Sequence, residues 1–561
     1  MAKGKLNMYI LGITAPISWN NAAVLIKDGQ LLAAAEEERF TRVKHAPRVP
    51  PINAAKFCMD YAGIDLEHID YIAVGFRSPL DYLIRDLKSE ILGLRFNTVH
   101  LQIGSAVEYF IQLSKLKTSF ERLYPKVRKK RWVFIPHHIS HAASACRVAG
   151  FPETNVLSLD GNGEDDSGGL FSFKRGKLSP LRKVRIEESL GALYSHTTDV
   201  LGFMRHSHEG KTMGLAPYGK PEISLDEFFK VSNGWYEVKP RWIANFHRRF
   251  GPPRKPDEPL TEDHKNLAAS IQTKLEEIAI QIAKTLKQMS PSSSLALAGG
   301  VTLNCDMNAK FLTEGIAKDI YIQPAAHDAG TALGAAMELN ARLGGRTDFV
   351  MDHAYWGPEY SNDEIESYLK ESKLNYQFHD QIESVTAKLL AEGKIIGWFQ
   401  GRMEWGPRAL GARSILAHPG LPGMKDKVNL EVKNREAWRP FAPSILEEEV
   451  PNYIENPSPS PFMLLTFVVR KEKRDALAAA MHVDNTARVQ SVSKKTNPRY
   501  HSLIREFQKL TDIAALLNTS FNDKGEPVVM TPKDALRTFS STGLDALAIG
   551  NFLIKKPDRK S

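Results

Sequence analysis

The chain has 561 residues, with 74 Lys and Arg against 65 Asp and Glu for a net charge of +9, and it is 42% hydrophobic, 9% aromatic and 25% charged. These proportions exclude a disordered chain and a small stapled scaffold, and at about 150 residues per domain they predict three or four compact units, fewer if the domains are large. Cys58, Cys146 and Cys305 are too few and too scattered for a disulfide framework or a thiolate zinc site, so a reducing cytoplasm is the expected compartment. No apolar run approaches the roughly 18 residues of a bilayer span, so no membrane segment is expected. The mild positive excess favours anionic partners in general.

In chain order, the opening reads as strand (MYILGIT), turn, strand (AAVLIKDG) and a third run, QLLAAAEEE. Further strands are expected at 71–76 and 132–136. The pair VLSLDGNG (156–163) and GGLFSFKRGKL (168–178) repeats the opening plan and predicts a duplicated α/β fold. Residues 81–131 read as helical and basic, ending in Lys126, Arg128, Lys129, Lys130 and Arg131; a solvated face is favoured there over a nucleic-acid patch. Residues 220–262, with Trp235, Tyr236 and Trp242, lack a period and read as a surface insertion or a mobile loop at a substrate entrance. Leu267, Ile271, Leu275, Ile278, Ile282 and Leu286 define the buried face of a long amphipathic helix over 264–289. The strand SLALAGG and a Gly-rich turn follow, and the breakers of 341–363 set the main boundary near 355, dividing 1–355 from 356–561.

Several motifs carry chemistry. His137 and His141 follow a strand four residues apart, so a helix starting there projects both imidazoles from one face. Asp160 ends a strand and Asp328 precedes a helical run, positions where carboxylates meet cations, and two His with two Asp suit Fe(II), Mn(II) or Zn(II). Gly299, Gly300 and the following Thr302 and Asn304 let backbone approach a flat or anionic ligand closely. Lys211, framed by glycines in EGKTMGLAPYG, suits an anionic or carbonyl oxygen, with a Gly-rich surface turn as the alternative. No GxxxxGK[ST] loop is present, which argues against a P-loop enzyme. Arg402, Arg408, Arg413, Lys433, Arg435 and Arg439 lie among glycines and prolines beside Trp405, Trp438 and Phe441, which predicts a shaped anion pocket. Arg488 and the run Leu517–Asn522 add hydrogen-bonding groups suited to a phosphate and a nucleotide.

The segments EEERFTRVKH, PHHISHAASA, EGKTMGLAPYG, GRMEWGPRALGARSILAHP, VKNREAWRPFAPSIL, HVDNTARVQ and LNTSFNDKGEPVV resemble, in order and nearly end to end, the NodU/CmcH family of O-carbamoyltransferases. The resemblance implies an actin/hexokinase/Hsp70-like (ASKHA) duplicated domain followed by a YrdC-like domain. It implies that the second domain makes carbamoyl-adenylate from carbamoyl phosphate and ATP with Mg²⁺, and that the first passes the carbamoyl group to a small hydroxylated acceptor at a metal, typically iron. Residue by residue, it assigns the metal to His137, His141, Asp160 and Asp328, and catalysis to His137, His141, Asp160 and Lys211. Gly300 and Asn304 would hold the adenylate, and Arg408, Lys433, Arg439, Arg488, Asn518 and Ser520 would bind carbamoyl phosphate and ATP. It makes nucleic acid and membrane unexpected partners and is compatible with a homodimer. It departs at Ser18, Trp19, Asn20 and Asn21, on the acceptor side, where family members show a His-Asp-Ser-like segment. Two other readings stand beside it: an enzyme acting on tRNA adenosine, which the basic segment 126–131 would suit, and a nucleotide-binding protein without turnover.

Overall fold

The computed structural model describes residues 7–84, 99–124, 130–232 and 234–557, so Lys126, Arg128 and Lys129 of the basic run lie outside the described residues. The chain divides into two compact units, Met1–Thr41 with His45–Met351, and Arg42–Lys44 with Asp352–Ser561.

The first unit holds two five-stranded sheets. One is built from β1 (Tyr9–Ile13), β2 (Ala22–Lys27), β3 (Gln30–Glu36), β4 (Tyr71–Val74) and β5 (Arg131–Phe134) in the order β3-β2-β1-β4-β5. The other contains β6 (Glu153–Gly163), β7 (Asp166–Lys174) and β8 (Lys177–Arg185). After the hairpin β9 (Phe229–Ser232) and β10 (Trp235–Val238), β11 (Ser294–Ala298) and β12 (Asp319–Ile322) complete it, in the order β12-β11-β6-β7-β8. In each, the first three strands form an antiparallel meander, the fourth pairs in parallel with the first and the fifth in parallel with the fourth. Short turns suffice for the meander, whereas the parallel strands need long crossovers, and this fixes where helices enter. The expected duplication is therefore present as a repeated strand order.

The helix Val99–Leu123 belongs to the first sheet's crossover and buries Tyr109, Leu113, Leu116 and Phe120. The helix Glu262–Met289 buries the six predicted apolar residues and starts on a capping box at Thr261. The region 220–262 is not the irregular loop that its lack of period suggests. Phe228, Phe229, Tyr236, Trp242 and Phe246 close a small aromatic core between the β9–β10 hairpin and the helix Trp242–Phe250. Aromatic contacts between separate short elements leave no single-element periodicity.

Two helices bracket the site of interest. His137–Cys146 follows β5, and Ala329–Arg342 follows β12. They touch at Gly334, where a Cβ would lie 1.7 Å from the Ser140 carbonyl oxygen, so any side chain there would push the helices apart.

The second unit is built on an eight-stranded mixed sheet. Its spatial order is Gln377–Phe378, Phe552–Lys555, Ala546–Ile549, Ile396–Phe399, Arg413–Ala417, Ala515–Ser520, Ala442–Leu446 and Gln490–Val492. Its core includes Phe399, Ile415, Leu517, Phe521 and Leu547, all at most 1% exposed. Among the described residues no helix is long and apolar enough to cross a membrane, and all three cysteines are free and buried.

Candidate functional site

His137 and His141 begin the helix after β5, and the one-turn spacing stacks their rings edge to face at 4.5 Å between centroids. Asp160 lies where the β6–β7 ladder breaks register between Leu159 and Gly163, a bulge that turns its carboxylate out of the sheet. His137 Nε2 and His141 Nε2 lie 3.3 and 3.5 Å from Asp160 Oδ2, and each lies 3.9 Å from Asp328 Oδ1. One donor atom from each of the four residues falls within 4.8 Å of all the others. The remaining oxygen of each aspartate is pinned by a backbone N–H. Gly300 N donates to Asp160 Oδ1 at 3.0 Å and Trp19 N donates to Asp328 Oδ2 at 3.2 Å.

A supporting shell fixes the first imidazole. Glu164, with φ 63°, accepts the backbone N–H groups of His137 at 3.1 Å and Arg77 at 2.6 Å, and its other oxygen pairs with the Arg77 guanidinium. An anion at the start of the His137–Cys146 helix is favourable for the helix dipole. Gly163 sits against the His137 ring, where a Cβ would lie 2.0 Å from Cδ2. His138 points elsewhere, to Ser158 Oγ at 3.2 Å and the Asp166 carbonyl at 3.0 Å, and burial pushes its imidazole down to about 3, so it is a neutral packing residue.

The electrostatics favour a cation. Burial pushes the Asp160 carboxyl up, but the two imidazoles of His137 and His141 facing it outweigh burial and hold the group well below the usual carboxylate range. Burial opposes protonation of His137, which Asp160 and Asp328 nevertheless raise; burial and the neighbouring His137 keep His141 low. The buried His141 Nδ1 and Nε2 and His137 Nδ1 have no hydrogen-bond partner. Bonds of about 2.0–2.2 Å place donors on one ion roughly 3–4.3 Å apart, close to the spacings seen, so two imidazole nitrogens and two carboxylate oxygens here fit one divalent metal.

Gly300 and Asn304, expected beside an adenylate, both make structural hydrogen bonds in this unit. Gly300 orients Asp160 through its N–H. Asn304 caps the helix Cys305–Thr313 and exchanges two hydrogen bonds with Gln272, at 2.8 and 3.0 Å. Lys211 lies on a short helix, Glu209–Leu215, in place of a Gly-rich turn, with its ammonium 5.1 Å from the Phe203 ring centre.

The second unit concentrates positive charge. A π-turn, Val428–Val432, extends the helix begun at Met424 and delivers Lys433, whose Nζ donates to the Ser520 and Asn522 carbonyls at 2.8 and 3.0 Å and to Asn522 Oδ1 at 2.9 Å. Burial, then Arg435, Arg439 and Lys44, depress the Lys433 ammonium well below its usual range. Burial and Arg439 push Arg435 down to about 8, and burial and Arg488 lower Arg439, with Glu436 offsetting part of both. Arg488 ends the strand Thr486–Arg488 with a buried, unpartnered Nε. Like charges crowded out of water call for an anion.

Not every arginine of that stretch belongs to the cluster. Arg413 is fully buried, donating to the carbonyls of Gln400, Gly401, Ala412 and Pro358. Arg402 donates to the Trp356 and Gly357 carbonyls. Both hold backbone, so the predicted pocket loses these two members. Arg408 is half-buried in the loop between Ile396–Phe399 and Arg413–Ala417. Asn518, 2% exposed, donates to the Ala409 carbonyl, Ser444 Oγ and Gln490 Oε1, while Ser520 Oγ donates to Asn522 Oδ1 at 2.6 Å. Sequence reasoning missed Glu164 and the Trp19 N–H; the acidic turn Glu164–Asp166 was the available signal for the first.

Residues 9–337 match the family described as Carbamoyltransferase N-terminus and residues 387–556 the one described as Carbamoyltransferase C-terminus. Nodulation protein NolNO of Sinorhizobium fredii is 40% identical over 96% of this chain and 79% of its own length. The 3'-hydroxymethylcephem-O-carbamoyltransferase of Amycolatopsis lactamdurans is 27% identical over 95% of this chain and 96% of its own. Among solved structures, full-length HypF in its phosphate- and nucleotide-bound form is similar at a TM-score of 0.32 and 10% identity, over 62% of this chain and 57% of that one. With both matched regions in order along one chain, the protein belongs to the carbamoyltransferase family, and it is a transferase enzyme.

Proposed function

We propose that the chain is an ATP-dependent O-carbamoyltransferase with two centres, one in an ASKHA-type domain over 1–355 and one in a YrdC-like domain over 356–561. In the second, water releases carbamate and inorganic phosphate from carbamoyl phosphate. The carbamate oxygen then attacks the α-phosphorus of ATP, brought as its Mg²⁺ complex, and pyrophosphate leaves. Lys433, Arg439 and Arg488, joined by Arg408 and Arg435, neutralise the phosphates and the charge that develops on the expelled pyrophosphate. Ser520 and Asn522 keep the Lys433 ammonium aimed by accepting its hydrogen bonds.

In the first domain the acceptor hydroxyl attacks the carbamoyl carbon, the bond to AMP breaks, and the hydroxyl proton is lost. His137, His141, Asp160 and Asp328 would hold the metal, read as Fe(II) with Mn(II) or Zn(II) as the other candidates, and when bound it supplies Lewis-acid polarisation of the carbamoyl oxygen. Gly300, Trp19 and Glu164 keep those side chains oriented. The observation that carries this reading is the separation of charge by unit: a convergent His/Asp set in one and a crowded Lys/Arg cluster in the other. The family relatives, one named for carbamoyl transfer to a hydroxymethyl group, support it. The test is ATP–pyrophosphate exchange with purified protein: exchange dependent on carbamoyl phosphate is expected, and its absence sinks the reading.

A further inference from the structure

The motif EEERFTRVKH ends in a short finger. Thr41 N donates to the Glu37 carbonyl at 3.1 Å and His45 N donates to Glu38 Oε2, so the three residues between them loop out from a fixed base. Those three, Arg42–Lys44, belong to the second compact unit, whereas Thr41 and His45 belong to the first. The backbone turns sharply at both ends of the finger, with φ 58° at Arg42 and 65° at His45. Arg42 directly follows the short helix Glu38–Thr41, a left-handed position that Gly or Asn fills with less strain. A long side chain persists in such a conformation where the side chain itself is put to use.

The Arg42 guanidinium grips one loop of the second unit. Nη1 donates to the Val528 carbonyl at 2.7 Å, Nη2 donates to the Pro527 carbonyl at 2.9 Å, and Nε faces Asp534 Oδ1 at 3.5 Å. Asp534 is itself fixed, because it completes the capping box of the helix Pro532–Ser541 with its other oxygen accepting the Thr531 N–H at 3.0 Å. Val529 N donates to the Phe521 carbonyl at 2.8 Å and closes the loop at its base. Asn522 fills the loop, its Nδ2 donating to the Glu526 carbonyl at 2.9 Å while its Oδ1 accepts from Lys433 Nζ at 2.9 Å. Contacts therefore run without a break from Arg42, through the loop backbone and Asn522, to the Lys433 ammonium. The charge of Lys44, two residues on, also reaches Lys433.

We propose that Arg42 is a positioning residue of the second centre: it latches the loop 521–529 so that Asn522 holds the Lys433 ammonium in line with the phosphates. This rests on the reading of the Lys/Arg cluster as the site for carbamoyl phosphate and ATP. Arg42 acts through the loop and touches neither substrate. Its planar fork holds two successive carbonyls and a carboxylate at once, which the point charge of a lysine does not. Without the latch the positive charge of Lys433 stays in the cluster, but its aim is lost. The loss then falls on turnover more than on substrate binding.

Amide hydrogen exchange and ATP–pyrophosphate exchange on the full chain test this together. In Arg42→Ala, amides of 521–531 are expected to exchange roughly tenfold faster than in the wild type, while the helix His137–Cys146 keeps its protection. Carbamoyl-phosphate-dependent pyrophosphate exchange should lose roughly tenfold in kcat, with the KM for ATP changed less than about twofold, and Arg42→Lys should restore neither. Because the effect passes through Asn522, adding Arg42→Ala to Asn522→Ala should lower kcat by less than about a further twofold. Unchanged amide protection at 521–531 in Arg42→Ala, wild-type turnover in Arg42→Lys, or an undiminished loss on top of Asn522→Ala overturns the proposal. A wild type without pyrophosphate exchange overturns the reaction instead, and amide protection then decides the latch by itself.

Discussion

The two charged centres solve opposite electrostatic problems. In the first unit, two carboxylates face two imidazoles, and each aspartate spends one oxygen on a backbone N–H and leaves the other toward the rings. In the second unit, Lys433, Arg435, Arg439 and Arg488 crowd together, and the Lys433 ammonium donates to carbonyl and amide oxygens. The first arrangement is preorganised for a small cation by pinning its ligands, and the second stores repulsion that a polyanion relieves. A site can therefore be recognised by the charge it is missing.

The largest effect should come from breaking one centre at a time. His141→Ala is expected to abolish carbamoyl transfer, by at least about 10³-fold, and tight metal binding, while sparing ATP–pyrophosphate exchange. Arg439→Ala is expected to cost exchange about 10²–10³-fold and to leave metal content intact, read by elemental analysis of the purified protein. Equal loss of exchange in both would show that the centres are not separable. Gly163→Ala sharpens the comparison. A Cβ pressed on the His137 ring should weaken metal affinity roughly 10–100-fold in a chelator competition, without changing exchange. The smallest effect concerns pH. Burial, then Arg205 and His247, push the His196 imidazole down to about 4 from an ordinary 6.5. The unfolded chain binds that proton first, so stability is full above pH 6.5 and falls as pH drops toward 4. The expected slope is up to roughly 1 kcal/mol per pH unit, reduced by residual solvent contact. His196→Asn should flatten that part of a denaturation-versus-pH curve.

What the sequence made legible was local. A one-turn spacing of histidines, an aspartate at a strand end and another before a helix predict the four convergent donors, and the repeated hairpin predicts the repeated sheet order. What it hid was long-range. Arg413 resembles any other arginine of its glycine-rich stretch, yet its fourth acceptor, the Pro358 carbonyl, is 55 residues away and makes it a backbone clamp. The Trp19 N–H reaches Asp328 across 309 residues, which no spacing can announce. The aromatics of 220–262 looked aperiodic because they pack between elements.

The repeated strand order gives the β1–β2 and β6–β7 connections the same station in the two copies of the sheet. One station contributes Asp160, the other only the peptide N–H that steadies Asp328. A peptide group is supplied by almost any residue, so the first-copy loop has been released from ligand duty. Under the proposed function its side chains are free to change with the acceptor while the four donors stay in place, and a duplicated scaffold thereby becomes a versatile one.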